Sequence, residues 1–576
     1  MSQENHTVLE VQDLRIAFPQ GGRGEMQQVV QGLNFSIEAG ETLGIVGESG
    51  SGKSVTFLGM TGLLGRSRCR RTGQAHFTRS GQKQDLLKLS EAALRPLRGR
   101  HIGMVFQEPM SALNPVMRCG HQVAEVLQRH LGMGEREARK KVMALLEEVS
   151  LPDVERIYRA YPHELSGGQK QRIVLAQAVA CEPALLVADE PTTALDVTVQ
   201  QTVLGLIRRL QEERGMAVAF ISHDLGVVRQ VADRVLVMRR GRPIETNITA
   251  ALFEHPQMPY TRGLLACRPP LHETLQRLPT LDDWEAHPDR SPSDLRASLR
   301  RSETEVRELR EKRYAQAPLL RLEQLQVQFP GKRPAFWKAP SMHTILPSID
   351  LKLYPGETLG LVGESGSGKT TLGRSLLRLL RVSDGNLWRY DELIRWDDAA
   401  RWKQLRRQWQ FVFQDPYASL NPRLSIGAAI AEPIRVHGLR KGGKAIRRRA
   451  EELLEQVGLP ADWYRRYPHQ LSGGQRQRVG IARALAVEPE LLICDEAVSA
   501  LDTSVQAQVL NQLNELKRLY GLTYLFITHD FSVVRFMADR IIVMKDGQIE
   551  EANFPEQLID HPKSEYTRRL IEAVPA

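Results

Sequence analysis

The chain has 576 residues, 25% of them charged and 42% hydrophobic, with a formal net charge of +10. That length passes the roughly 250–300 residues at which a single hydrophobic core stops growing, so two or more domains are expected. No apolar run approaches the ~18–20 residues needed to span a bilayer, and Met1-Ser-Gln-Glu-Asn-His lacks a signal-peptide pattern. The five cysteines are scattered and without C-x-x-C spacing, which argues against a disulfide framework, a zinc site or an iron–sulfur cluster.

The first domain is expected over residues 7–265, opening on the strand-like Val8-Leu-Glu-Val-Gln. A short apolar run from Glu41 leads into Gly47-Glu48-Ser49-Gly50-Ser51-Gly52-Lys53-Ser54, and a helix-compatible stretch follows over 53–64. This is G-x-x-x-x-G-K-[ST] between a strand and a helix, the phosphate-binding loop. Its glycines let successive N–H groups point into one hollow that holds phosphate oxygens. The lysine reaches the β- and γ-phosphates, and the Ser or Thr hydroxyl ligates Mg²⁺. Further along come Gln107, a Leu/Glu/Arg-rich helical stretch over 120–160, and Ser166-Gly167-Gly168-Gln169 at the start of a helix over 169–180. Free N–H groups at such a helix start face an anion readily. Apolar runs then precede Asp189-Glu190 and Ser222-His223.

Nearly all of this recurs. Gly363-Glu364-Ser365-Gly366-Ser367-Gly368-Lys369-Thr370 repeats the loop 316 residues on, and Gln414 repeats Gln107 at 307. Ser472-Gly473-Gly474-Gln475, Asp495-Glu496 and His529 repeat their counterparts at 306. The first copy therefore carries about nine extra residues between its loop and Gln107, expected within 66–94. The repeat is a whole duplicated domain, with the second copy over 318–576 and a second helical stretch over 427–466. Residues 266–317, rich in proline and then in charge, read as a linker that carries the C-terminal extension of the first domain and packs against its flanking domains, with an exposed helix over 295–312. Continuous apolar strands alternating with helices predict α/β domains with largely parallel, buried sheets, whose ligands sit beyond the strand C-termini. The net charge of +10 suits a surface facing nucleic acid or anionic lipid, or basic solvated helix faces; the clusters at 95–100 and 440–449 lack interleaved aromatics, which favours the solvated faces.

Taken together, the loops, Gln107, the Ser-Gly-Gly-Gln elements, Asp189-Glu190, Ala194-Leu-Asp196 and His223, with their second copies, closely resemble the ATP-binding cassette ATPases. The resemblance implies two tandem P-loop ATPase domains, each a mainly parallel sheet core with an inserted helical subdomain. Asp189 and Asp495 are then expected to hold Mg²⁺ with Ser54, Thr370, Gln107 and Gln414. Glu190 and Glu496 are the expected general bases, steadied by His223 and His529 at the γ-phosphate, and Gln107 and Gln414 also reach the water. The resemblance further implies that Ser166, Gly167, Gly168 and Gln169 complete the ATP site of Lys369. Ser472, Gly473, Gly474 and Gln475 complete that of Lys53, so the two domains pair within one chain. Phe18 and Phe329, after the first strand of each domain, are the candidates for adenine stacking.

The segments Phe106-Gln-Glu-Pro-Met-Ser-Ala-Leu-Asn-Pro115 and Phe413-Gln-Asp-Pro-Tyr-Ala-Ser-Leu-Asn-Pro422 resemble the oligopeptide/dipeptide/nickel importer ATPases. So do the domain ends, His255-Pro-Gln-Met-Pro-Tyr-Thr-Arg and His561-Pro-Lys-Ser-Glu-Tyr-Thr-Arg. Only Cys267 stands where some relatives carry a cysteine cluster. The implied function is ATP hydrolysis that drives import of peptides or a related solute. The implied partners are two integral-membrane permeases and an extracytoplasmic solute-binding protein, with no nucleic acid, at the cytoplasmic face of the inner membrane. The alternative is a soluble tandem cassette protein acting on ribosomes or nucleic acid.

Overall fold

The computed structural model describes all residues except 1–5, 21–24, 66, 67, 80, 107–111, 194, 288, 289, 291, 332–340, 500, 575 and 576. The chain divides into two compact units, the first ending at Leu265 and the second running Ala266–Val574.

In the first unit, strands β1 (Thr7–Gln20), β2 (Glu25–Glu38), β4 (Arg70–Arg79) and β5 (Gln82–Asp85) form an antiparallel sheet in the order β2-β1-β4-β5. Strands β3 (Thr42–Val46), β6 (Ile102–Val105), β7 (Leu185–Asp189), β8 (Ala217–Ser222), β9 (Arg234–Arg239) and β10 (Arg242–Ile248) form the second, ordered β10-β9-β3-β8-β7-β6. All its pairs are parallel except β9–β10. Strands β3, β7 and β8 are buried at every residue, which is why they read as unbroken apolar runs. One core joins the two sheets: Leu14, Ile16 and Val30 meet Ile45, Val187 and Ile221, with Phe57 of the helix Lys53–Met60 among them. The helical insertion comprises Cys119–Leu131, Glu135–Glu148 and Val154–Arg159. Its middle helix buries Ala138, Val142, Leu145 and Leu146, the i, i+4, i+7 spacing of one helical face.

The second unit repeats the plan. Strands β11 (Leu320–Pro330), β12 (Met342–Leu353), β14 (Asp384–Arg389) and β15 (Glu392–Ile394) form the antiparallel sheet. Strands β16 (Trp409–Val412), β17 (Leu491–Asp495), β18 (Thr523–Ile527), β13 (Thr358–Val362), β19 (Arg540–Lys545) and β20 (Gln548–Asn553) form the other in that order. The inserted helices are Ile426–Val436 and Gly443–Gln456. On the latter, Arg447 and Arg448 pair with Glu451 and Glu452 one turn on, so this basic cluster is a solvated, ion-paired face. Part of the extra length in the first copy lies in its longer β4–β5 hairpin.

The exposed helix expected over 295–312 forms only in part: it is broken in two, and its longer piece is mostly exposed. Two helices, Pro292–Ser298 and Glu303–Tyr314, are separated by a break at which Leu275 bridges Arg300. Leu295 is buried with Ala266 and Trp284. The Asn511 side chain accepts from the Leu278 N–H at 2.8 Å and donates to the Leu278 carbonyl at 2.9 Å. Arg310 lies 2.7 Å from Glu556 and Arg313 2.8 Å from Asp539, while the Tyr314 hydroxyl donates to Glu357 at 3.0 Å. Arg310, Arg313 and Tyr314 thus turn to acids of the second unit, while most of the helix Glu303–Tyr314 stays exposed.

Candidate active site

Each phosphate loop sits at the C-terminal end of the central strand of its sheet, β3 or β13. Gly47 has φ +152° and Gly363 φ +151°; a Cβ there would lie 2.1 Å from the Met238 carbonyl oxygen and 2.2 Å from that of Met544. Only glycine lets the loop turn this close to the neighbouring strand. Gly50 and Gly366 have positive φ and open space around them, which places the mouth of the hollow there. Lys53 donates through Nζ to the Gly47 and Glu48 carbonyls at 2.7 and 3.0 Å, and Lys369 to those of Gly363 and Glu364 at 2.7 and 2.8 Å. The ammonium is thus held over the loop it serves.

The helix that follows aims its first hydroxyl at the acid of the adjacent strand pair. Ser54 Oγ donates to Asp189 Oδ1 at 2.8 Å, and Thr370 Oγ1 to Asp495 Oδ1 at 2.8 Å. Burial pushes the Asp189 carboxyl up to about 6, against the Ser54 hydrogen bond, and raises that of Asp495 too. Among the described residues, the second oxygen of Asp495, Oδ2, is buried without a hydrogen-bond partner. A hydroxyl beside a desolvated carboxylate with a spare oxygen suits a small hard cation, whose remaining ligands come from phosphates and water.

The next residue behaves oppositely. His223 Nδ1 lies 3.2 Å from Glu190 Oε1, and Thr193 Oγ1 donates to Glu190 Oε2 at 3.0 Å. Burial alone would raise the Glu190 carboxyl, but the His223 hydrogen bond and charge, with Lys53 and Thr193, outweigh it and hold it at about 2. In the second unit His529 Nδ1 lies 3.3 Å from Glu496 Oε1, and Gln414 Nε2 donates to Glu496 Oε2 at 2.6 Å. The same balance lowers Glu496, while the bond to Glu496 raises the His529 imidazole despite burial. Glu190 and Glu496 also hold φ of +49° and +46°, the left-handed region that side chains avoid. Strain of this kind, repeated at both glutamates, marks a backbone forced into place by its surroundings. Two adjacent carboxylates are thus driven apart in acidity, the aspartate upward and the glutamate downward.

Ser166 and Ser472 are exposed N-caps of the helices Gly167–Val179 and Gly473–Leu485. Each accepts from the N–H of its own Gln169 or Gln475, whose side chain returns to the serine N–H. Phe18 is half-buried against the core of the antiparallel sheet, and Phe329 is 36% exposed near the end of β11. Gln107 and Ala194 lie outside the described residues.

Two tyrosines at the domain ends join the site. Tyr260, in the helix Pro259–Ala266, has its hydroxyl 3.3 Å from Glu48 Oε2. Tyr566, in the helix Glu565–Glu572, accepts the Glu364 N–H at 3.0 Å. Arg239 covers the first ring and Lys545 the second. A strand glutamate holds each terminal helix start: Glu245 accepts from the Gln257 and Met258 N–H groups, Glu551 from those of Lys563 and Ser564. In the sequence these tyrosines stand only within the domain-end motif; their reach to the loop is a tertiary fact.

Residues 30–193 and 346–499 match the family model described as ABC transporter. The chain belongs to the ABC transporter family. It is an ATPase of that family, with two cassettes of α/β fold in tandem. Residues 244–293 match a model described as oligopeptide/dipeptide transporter, C-terminal region, a stretch that contains Glu245 and Tyr260. The glutathione import ATP-binding protein GsiA of Escherichia coli O157:H7 is 44% identical over 578 residues, covering 99% of this chain and 89% of that protein. GsiA of Pectobacterium atrosepticum is 44% identical over 576 residues with the same coverage. Among solved structures, the ATP-binding cassette MJ0796 bound to ADP and Pi is 29% identical, covering 41% of this chain and 98% of that one, with a TM-score of 0.37. Both transporter matches favour a transport ATPase over a ribosomal or nucleic-acid factor.

Proposed function

We propose that this chain uses ATP hydrolysis at two sites to drive import of glutathione or a similarly small peptide. The solute passes through two separate integral-membrane permeases, delivered to them by an extracytoplasmic binding protein. Among the described residues no helix is long and apolar enough to cross a membrane, in keeping with a peripheral position at the cytoplasmic face of the inner membrane. Residues 7–265 and 318–576 are the two cassettes in this reading, with 266–317 as the connecting segment.

The observation that carries it is the duplicated set of loop lysine, hydroxyl–aspartate pair and histidine-held glutamate, in a chain whose relatives are named for glutathione import. The loop N–H groups and Lys53 or Lys369 bind the β- and γ-phosphates. Ser54 with Asp189, and Thr370 with Asp495, would hold Mg²⁺ together with Gln107 or Gln414; when bound, the ion neutralises phosphate charge. Glu190 and Glu496 orient the attacking water and accept its proton. A carboxyl near 2 is a weak acceptor, so positioning dominates until the γ-phosphate charge raises it. His223 and His529 fix the carboxylate and face the same phosphate. The Ser166–Gln169 and Ser472–Gln475 elements each close over the nucleotide of the other cassette, so ATP favours the paired state and hydrolysis releases it.

The test is reconstitution. The chain is purified from detergent-solubilised membranes, and two hydrophobic subunits are expected to accompany it. In proteoliposomes its ATPase rate is expected to rise when a glutathione-loaded binding protein is added outside. Co-sedimentation with ribosomes and no hydrophobic partner would refute the transport reading; stimulation by another small solute would replace the cargo alone.

A further inference from the structure

A cavity of about 770 Å³ lies within the second unit, away from its phosphate loop. Its walls are the break and helix of the 274–313 stretch, the end of the helix Thr503–Tyr520, and the helix Phe531–Met537 with the residues after it. Seven lysine and arginine side chains line it against three acidic ones. The acids are largely committed: Glu556 takes Arg310, and Asp539 takes both Arg313 and Lys517. That leaves Arg301, Lys312, Arg518 and Arg535 facing the exposed Glu305.

Arg535 is the informative one. It is 7% exposed, and its hydrogen-bond partner among the described residues is the Thr274 hydroxyl, at 2.8 Å. Burial lowers its guanidinium pKa; Glu556 and Asp560 act to raise it and Arg310 opposes them, and Glu556 is already bidentate to Arg310. Arg301, which also lines the cavity, contributes a buried Nε without a hydrogen-bond partner among the described residues. A desolvated guanidinium with a single neutral acceptor is costly, and five donors in a fixed fork match a carboxylate or phosphate. The duplicated domain supplies a contrast. The counterpart, Arg229, sits 306 residues earlier in the same kind of helix, is exposed, and lies over the Phe253 ring. The second unit alone covers this arginine, and it does so with the 266–317 segment.

We propose that this cavity is a binding site for a small polyvalent oxyanion, a carboxylate or phosphate compound, gripped between Arg535 and Arg301. The size is that of an ordinary small-molecule site, and the uncommitted cations outnumber Glu305 four to one, Lys312 and Arg518 among them at the solvent-exposed rim. Because one wall is the 266–317 segment, the anion favours the docked state of that segment by mass action. The site is independent of which solute the transporter carries.

The experiment is calorimetric titration of the full chain, its nucleotide sites filled with a non-hydrolysable ATP analogue, with tricarballylate and, separately, with inorganic phosphate. One anion per chain is expected, weakened roughly tenfold or more by Arg535→Gln and by Arg301→Gln, with analogue affinity unchanged. Binding of tricarballylate alone identifies a polycarboxylate site, of phosphate alone a phosphoryl site, and of both a general oxyanion site. Failure of both to bind the wild type, or binding that survives both substitutions, overturns the proposal. If Arg535→Gln does not fold, the half-buried Arg301→Gln decides it.

Discussion

The hydroxyl of Tyr566 accepts the backbone N–H of Glu364 at 3.0 Å, so the terminal helix of the second unit is tied to the first turn of its phosphate loop. Tyr260 reaches the corresponding Glu48 through its side chain instead. A hydrogen bond to a loop that changes little during the chemical step supports ground-state binding more than turnover. Tyr566→Phe is therefore expected to raise the ATP dissociation constant of the second site about three- to tenfold, the range of one ordinary hydrogen bond, with kcat within about twofold of wild type. Fluorescent-nucleotide titration and steady-state ATPase kinetics separate the two. A fall in kcat at unchanged affinity would contradict it.

Glu190→Gln combined with Glu496→Gln is expected to lower ATP turnover by at least about a hundredfold, the usual worth of a positioned acid–base group, with nucleotide binding retained. Single-turnover assays and equilibrium binding on the double variant check both halves. Normal hydrolysis would remove the base assignment.

Ser472→Arg tests the pairing of the cassettes. The serine is exposed, so the expected folding penalty is the loss of one helix cap, about 1 kcal/mol. Turnover at the Lys53 site is expected to fail while photo-labelling of the first cassette by an azido-ATP persists. Were the loss confined to the Lys369 site, the head-to-tail arrangement would be wrong.

Asp539 sets a pH dependence. Burial would raise its carboxyl, but Lys517 and Arg313 hold it down at about 2. A carboxyl whose folded value lies below its unfolded value stabilises above the unfolded pKa, near 3.9. That contribution is lost as pH falls through the folded value. It amounts to about 2–3 kcal/mol and disappears progressively between roughly pH 5 and 1. Calorimetry of wild type over that interval should show this loss, and Asp539→Asn should lack it. At neutral pH Asp539→Asn is expected to destabilise the second unit by about 1.5–3 kcal/mol, because Lys517 and Arg313 lose their half-buried charged partner.

Legibility in the sequence followed how local each feature is. The phosphate loops, the strands ending at Asp189 and Asp495, and the helical insertions are written in contiguous spacing, and they form where expected. The antiparallel sheets were not separated out beyond their first strands. Strand β1 shifts register against β2 four times, which breaks the alternation that betrays a strand. The left-handed turn at Glu190 has no composition signal, because glutamate is not a residue that favours it. The exposed helix read over 295–312 holds for most of the helix Glu303–Tyr314; its Arg- and Glu-rich composition does not show which residues turn to the second unit. Tyr314 edge-on to Tyr354 at 5.0 Å and the half-buried pair at Asp539 show what only tertiary contact reveals.

The segment 266–317 is a component of the second unit and not a neutral tether. The natural joint in this polypeptide therefore falls near Leu265, ahead of the proline-rich stretch and not inside it. A gene split at that joint would give the downstream product the whole segment, including Thr274 and Arg301, and leave the upstream product with none of it. Fission here would separate two cassettes that are alike in their ATP chemistry and unlike in what they wear on the outside.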